Sequence, residues 1–254
     1  NISRQLLTNY DLAPSTGFES QYINAGELQN RGFDATLNII AWQNLRKQFY
    51  WTLAVGMNHN RNKIRKISDY LRKMNEEQLR SASAPLAVYQ EGKSTTTYYA
   101  VRSLGIDPMT GKEVFLTKNG EKTFVWNSAD KVPVGDTTPK VSGTISSSVN
   151  WRDFSCTLGF VYRWGGIVYN QTLVDKIENS NIAYNLDRRA AEDRWRRPGN
   201  VVRYKKIDLN GSQTPASDRF IMKDNELKLA SLNIGYRFKQ TEYKLLSRLN
   251  IDVL

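Results

Sequence analysis

The chain has 254 residues, 40% of them hydrophobic, which suffices for one sizeable domain or for part of a larger one. Its 36 basic and 25 acidic residues leave a net charge of +11, which invites an anionic partner such as nucleic acid or a membrane surface. One cysteine, Cys156, excludes an internal disulfide framework. One histidine, His59, leaves any zinc site, Cys-His pair or Ser-His-Asp triad resting on single residues, so classical hydrolase chemistry is disfavoured.

No stretch approaches the roughly 20 apolar residues of a membrane helix. The first residues, NISRQLLTNYDLAPSTGF, lack both an initiator Met and the basic, apolar and small segments of a signal peptide. The mean hydropathy of -0.56 suits a soluble protein. A membrane β-barrel, however, alternates apolar and polar residues and averages out as polar. Two classes remain: a soluble all-β protein, or a piece of a membrane barrel.

Taken in chain order, ISRQLLTNY (2–10) is a first strand with a poor pattern. In FDATLNIIAW (33–42), Phe33, Ala35, Leu37, Ile39 and Ala41 share a face opposite Asp34, Thr36 and Asn38. In FYWTLAVGMNHN (49–60), Trp51, Leu53, Val55 and Met57 oppose Thr52, Ala54, Gly56 and Asn58. The loop that follows holds SDYLRKMNEEQLRS (68–81), whose Leu71, Met74 and Leu79 predict a short helix with Ser68 as N-cap. YYAVRSLGIDPMTGKEVFLTKNGEKTFVW (98–126) predicts a small β-meander turning at DPMTGK and KNGEK. KVSGTISSSVNW (140–151) carries Val141, Ile145, Val149 and Trp151 on one face. FSCTLGFVYRW (154–164) alternates most cleanly, with Phe154, Cys156, Leu158, Phe160, Tyr162 and Trp164 together. LKLASLNIGYRF (227–238) aligns Ala230, Leu232, Ile234, Tyr236 and Phe238. LLSRLNIDVL (245–254) aligns Leu245, Leu249, Ile251 and Val253.

Short and long connections alternate. Residues 43–48, 152–153 and 239–244 are short turns, and 11–24, 65–138 and 171–224 are long links. Unstructured loops of such length are uncommon in compact soluble domains. Outer-membrane barrels have short periplasmic turns and long extracellular loops. Trp42, Phe49, Tyr50, Trp51, Trp151 and Phe154 gather near short turns, and Tyr162, Trp164 and Tyr169 lie toward the far ends, as in interfacial aromatic girdles. The same alternation is also compatible with a soluble sandwich core.

Two basic runs stand out, Arg61, Lys63, Arg65 and Lys66, and Arg188, Arg189, Arg194, Arg196 and Arg197. They read as solvated loop charge, or as charge facing anionic head groups. No zinc finger, helix-turn-helix or RNP-like strand supports nucleic acid. Asp107 and Glu113 in GIDPMTGKE lack the alternating acidic ligands of an EF-hand, and a turn explains them. Glu91, Asp107, Asp136 and Asp193 cannot be paired into a glycosidase site from spacing alone. Tyr98, Tyr99, Trp126, Tyr169 and Trp195 are loop aromatics able to stack on a sugar or a peptide, or to pack the loops themselves.

Segment 14–37, PSTGFESQYINAGELQNRGFDATL, resembles a barrel signature of the SusC/RagA family of TonB-dependent outer-membrane transporters. Asn24, Gly26, Asn30, Gly32 and Phe33 occupy the family's Asn-x-Gly-x-x-x-Asn-x-Gly-Phe pattern. WTLAVGMNHNRNKI, YYAVRSLGIDPMTGKEVF, VGDTTPKVSGTISSSVNWRDFSCTLGFVYRWGG and DRFIMKDNELKLASLNIGYRF are similar in the same order, so the resemblance covers nearly the whole chain. It implies an all-β, transmembrane antiparallel β-barrel, of which residues 1–254 form a partial barrel domain. About seven strands would come from a barrel of roughly 22. No TonB box, plug or N-terminal domain precedes them, and the chain stops at IDVL within a strand, so a fragment of the C-terminal half is expected.

The resemblance further implies import of a glycan or oligopeptide across the outer membrane of a Bacteroidetes-type bacterium. The partners would be a SusD-like surface lipoprotein, outer-membrane lipid, and the TonB complex acting through the missing plug. No enzymatic chemistry and no cofactor is expected. Leu53, Val55, Leu158 and Phe160 would face lipid, and Thr52, Asn58, Thr157 and Arg163 the lumen. Residues 65–138 and 171–224 would be extracellular, and 43–48, 152–153 and 239–244 periplasmic. The competing readings are a soluble or surface-attached β-rich glycan-binding protein and a secreted carbohydrate-active enzyme.

Overall fold

Period-two sequences become long strands wherever a neighbouring strand can take up their backbone hydrogen bonds. In the computed structural model, which describes residues 2–4, 7–11, 17, 20–80, 84–180, 187–207, 213–238 and 249–253, this pairing dominates. The chain begins with β1 (Ile2–Ser3), β2 (Leu7–Asp11) and β3 (Ser20–Asn24). Then come the long strands β4 (Gly26–Asn44) and β5 (Phe49–Ile67) and helix α1 (Asp69–Arg80). Shorter strands follow: β6 (Leu86–Ala87), β7 (Thr97–Ala100), β8 (Arg102–Ile106), β9 (Glu113–Leu116), β10 (Lys122–Thr123) and β11 (Val132–Asp136). The hairpin of β12 (Val141–Trp151) and β13 (Phe154–Tyr169) leads to α2 (Gln171–Leu173), a π turn (Val174–Glu178) and α3 (Arg188–Glu192). The last strands are β14 (Ile221–Tyr236) and β15 (Leu249–Val253).

Seven strands make one sheet in the order β1-β4-β5-β12-β13-β14-β15, in which β1 and β4, β5 and β12, β12 and β13, and β14 and β15 pair antiparallel. Six of the seven expected strands run through it, but the first, expected over 2–10, contributes only Ile2–Ser3: Leu7–Asp11 pairs instead with Ser20–Asn24, within the expected link 11–24, in a separate two-stranded sheet. The tight turns of the large sheet are those expected: β4 and β5 meet across residues 45–48, and β12 and β13 across Arg152–Asp153. Gln48 and Arg152 take φ of 51° and 55°, and Arg152 N–H donates to the Gln48 carbonyl at 2.9 Å, so the two turns brace each other. The third expected turn, 239–244, lies outside the described residues.

The strands outrun the alternation that announces them. β5 continues to Ile67, although its apolar alternation fades after Asn58. The chain divides into two compact units. The first comprises residues 1–30, 62–138 and 167–223, and the second residues 31–61, 139–166 and 224–254. Apart from Tyr162, the buried apolar side chains among the described residues fall in the first unit, including the cluster of Val174, Ile177, Ala190, Tyr204 and Phe220. The second unit is sheet with its apolar side chains largely uncovered.

Within the first unit, the helix expected over 68–81 forms at Asp69–Arg80. The Ser68 hydroxyl accepts from Leu71 N–H at 3.4 Å as its cap. The expected meander divides. β10-β9-β8 forms around turns at Asp107–Lys112 and Thr117–Glu121, whereas Thr97–Ala100 leaves it to pair with β11 and β6. The backbone switches partners at Val101, which instead bridges Ser217.

Candidate functional site

In the second unit, register sorts the side chains. Val55, Ile145 and Phe160 lie in one cross-strand row, and Leu53, Ser147 and Leu158 in the next. Trp51, Val149 and Cys156 follow, then Phe49, Trp151 and Phe154 at the short turns. Cross-strand partners point to the same side. One face is therefore apolar over three strands. The other holds Thr52, Ser148 and Thr157 in a row, Ser146 between Ala54 and Gly159, and Asn58 beside Ser142. β14 and β15 continue the pattern by pairing Leu232 with Val253 and Ile234 with Ile251.

The polar face is laced by its own hydrogen bonds. Ser148 and Thr157 hydroxyls lie 3.1 Å apart, Asn58 donates to Asp34, and Arg163 reaches Asp224 at 3.2 Å and Glu226 at 2.9 Å. Ile40, Trp42 and Val161 interrupt this face with exposed apolar groups. On the apolar face, Trp51 Nε1 donates to Ser147 Oγ at 3.0 Å, so that indole carries no open donor. Tyr162 lies over Gly143, where a Cβ would stand 2.8 Å from its hydroxyl, and donates to the Gly56 carbonyl at 3.1 Å. A side chain at Gly143 would clash first with the Gly56 carbonyl, 2.0 Å from its Cβ, and so force β5 and β12 apart.

The apolar face has the height of a bilayer core. Ten residue steps from Phe49 to His59, at about 3.3 Å each and tilted by about 40°, rise about 25 Å. Phe154 and Trp151 edge it at the short turns, and Trp164, 50% exposed, edges it at the other end. Leu37 is 58% exposed and no described side chain covers this surface. His59 stacks near Phe33 at the far end, about 26 Å of strand from Cys156, so the two never meet.

The loop aromatics of the first unit are placed separately. Tyr99 is buried, its hydroxyl donates to Gln90 at 2.6 Å, and burial raises its pKa. Tyr169 packs edge-on against Phe220 at 6.3 Å. Trp126 donates its indole N–H to the Ala216 carbonyl, beneath the Lys131 ammonium. Trp195 donates to the Pro108 carbonyl at 2.8 Å, with its ring against Gly111. Tyr98 is half-buried on β7. Neither of the two clefts of this unit described below is lined by any of the five.

Sequence reading missed a buried ion cluster. Arg219 donates to Glu113 at 3.0 Å and to Glu178 at 2.6 Å, and Ser217 also donates to Glu113 at 2.6 Å. Burial pulls the Arg219 pKa down, but the two carboxylates outweigh it and hold it above the ordinary value. Arg194 donates to the Ile177, Glu178, Ala190 and Lys205 carbonyls. Glu113 thus ties β9 to the end of the long link. Asp107 caps its own turn through Thr110. Glu113 and Arg219 lie 106 residues apart, which leaves no local signal to find.

The two basic runs differ. In the later run Arg188 pairs with Glu192 and Arg189 with Asp187, while Arg194 and Arg196 donate to backbone carbonyls, so that run is partly compensated within the loop. Beside it, Arg194, Arg196, Arg197 and Asn200 line an open cleft of about 540 Å³. A cleft of about 400 Å³ in the same unit is lined by Glu27, Gln29, Lys63, Arg65 and Lys66.

No family model matches the chain. Three curated proteins of Formosa agariphila do. TonB-dependent receptor P3 is 26% identical over 68% of this chain, P39 20% over 96%, and P26 24% over 92%. The chain spans only 18%, 27% and 24% of their respective lengths. Among solved structures, the RagAB peptide transporter superposes with a TM-score of 0.77 at 19% identity, over 99% of this chain and 29% of that one. The RagAB peptide importer in its open-open state gives 0.73. The uncovered apolar band, the paired short turns and this likeness agree: the chain is similar to the TonB-dependent receptors and has the fold of a stretch of an outer-membrane β-barrel.

Proposed function

We propose that the chain is part of the wall and outer loops of a TonB-dependent transporter that imports an oligopeptide or a glycan. The observation that carries this reading is the second unit's sheet, polar on one face and apolar but uncovered on the other. A soluble glycan-binding protein would bury that apolar face in a core, whereas among the described residues only Tyr162 of that face is buried and the other buried apolar side chains lie in the first unit. Leu53, Val55, Leu158 and Phe160 face lipid, and Thr52, Asn58, Thr157 and Arg163 face the lumen. The work of such a wall is passage, with no covalent step.

Residues 65–138 and 171–224 form the extracellular side, and 43–48, 152–153 and 239–244 the periplasmic side. Energy comes from the TonB complex through a plug outside this stretch. A SusD-like lipoprotein is the expected surface partner, as the pairing in RagAB suggests, and the peptide named for RagAB favours an oligopeptide over a glycan. Among the loop aromatics, the part-exposed rings of Tyr98, Trp126 and Trp195 are assigned to substrate contact. Tyr99 and Tyr169 support them from within.

The test is purification of the tagged native receptor from detergent-extracted outer membrane, with mass spectrometry of what accompanies it. A stoichiometric surface lipoprotein is the expected result. Recovery from the aqueous fraction without detergent would overturn the transporter reading. Orientation is read by placing cysteine at Val201 in a Cys156→Ser background. An impermeant thiol reagent should label it on whole cells, and labelling only after membrane disruption would reverse the topology.

A further inference from the structure

Three contacts within the second unit fix how β4 and β5 pair away from their turn. Asn58 donates to Asp34, the Phe33 and His59 rings stand 5.5 Å apart, and a Cβ on Gly32 would meet the backbone of His59 and Asn60. The next pair along is Arg31 opposite Arg61, and both are exposed. Period two sets them on the face of Phe33 and Leu37 and of Leu53 and Val55, the apolar one. Asp34, the acid nearest in sequence to Arg31, is bonded on the opposite face.

Like charges directly opposed across a ladder are unfavourable. Among the described residues, no carboxylate lies within ion-pair distance of either guanidinium. Arg163, Arg188, Arg189, Arg203 and Arg219 each hold an acid. The uncompensated pair therefore marks where a counter-charge arrives from outside the chain. Its level is informative. His59 is bonded to the Lys140 carbonyl, and Val141 beside it pairs with Trp164, so this row is the aromatic edge of the apolar band. Arg31 and Arg61 lie one pair farther, about 7 Å along the strands. Beyond the aromatic edge of a bilayer lie the head groups.

We infer that Arg31 and Arg61 together form a docking surface for the phosphate of a bilayer lipid head group. This rests on the proposal that the apolar face meets lipid. Two guanidinium forks on neighbouring strands present paired N–H donors to one tetrahedral anion, a geometry an ammonium cannot offer. A translocated substrate would pass the opposite, polar face, and a soluble protein would be kept from this one by the bilayer.

The test is native mass spectrometry of the intact receptor released from nanodiscs of phosphatidylcholine with a minor share of phosphatidic acid. The wild type should retain phosphatidic acid selectively. The R31Q/R61Q double variant should lose that selectivity about thirtyfold, given a roughly fivefold contribution per cation at a membrane surface. R31K/R61K should keep part of it, and Arg188→Gln, in the partly compensated run, all of it. A circular-dichroism spectrum checks that the double variant is folded. Equal retention by a folded double variant would overturn the inference and leave the transporter reading intact. Displacement of the lipid by inorganic phosphate at equal concentration would overturn it in favour of a free-anion site. Recovery of the wild type without detergent would overturn both.

Discussion

At the scale of single residues, charge placement separates structure from surface. Arg219 sits nearly enclosed between Glu113 and Glu178, so its removal strands two buried carboxylates. Arg219→Ala should cost about 3–5 kcal/mol, read as a fall in the unfolding temperature of the purified receptor and early proteolysis near 171–224. Asp187 is the exposed counterpart. Its hydrogen bonds from the Arg189 side chain and backbone hold its pKa at about 2, below the ordinary 3.8. A lowered folded pKa means the interaction is fully present above 3.8 and is lost as pH falls toward about 2. Arg189→Gln should move the Asp187 carboxyl midpoint upward in an NMR titration. An unchanged midpoint would leave the shift to the backbone bond alone.

At the scale of elements, close approach decides. Gly111 has φ of 68° and lies against the Trp195 ring, where a Cβ would come within 2.5 Å. Gly111→Ala should expel the indole from its place on Pro108, visible as a red shift in Trp fluorescence in a background with other tryptophans replaced. In α1, Asn75 accepts from Tyr89 N–H and donates to its carbonyl. Asn75→Ala should cost about 1–3 kcal/mol by leaving buried backbone groups unpaired. The helix itself was legible, since Leu71 and Met74 repeat at helical spacing after a capping serine. The Asn75 clamp was not, because a polar residue on a helix reads as solvated unless its partner is known. β13 was legible nearly residue by residue from Phe154 to Trp164, because its side chains alternate between a mainly apolar face and a mainly polar one, with Val161 the exception. β5 was legible to Asn60 only. Arg61, Lys63, Arg65 and Lys66 keep no apolar alternation, and the strand persists there because β4 supplies a partner, with Gly26 closing on the Lys66 carbonyl. The split of the expected meander at Val101 depends on Ser217, more than a hundred residues away, and so lay beyond local pattern.

At the scale of the whole molecule, the account stands on which side of the sheet meets lipid. Charge placed there should be costly in proportion to depth. Leu158→Arg, near mid-band, should destabilise the folded receptor by about 2–4 kcal/mol, whereas Thr157→Arg, one residue away on the polar face, should be tolerated. The loop aromatics were legible as candidates but not as a site, because Tyr99 lies opposite Pro133 on β11 and Tyr169 packs on Phe220, partners that local pattern does not supply. The most direct test is a spin-label scan of residues 154–164 in the membrane-embedded receptor, in a Cys156→Ser background except at position 156 itself. Oxygen collision should peak at 156, 158, 160 and 162, and a water-soluble relaxant should peak at 155, 157, 159 and 161. Loss of that two-residue alternation, or equal access of the water-soluble relaxant to every position, would contradict a barrel wall.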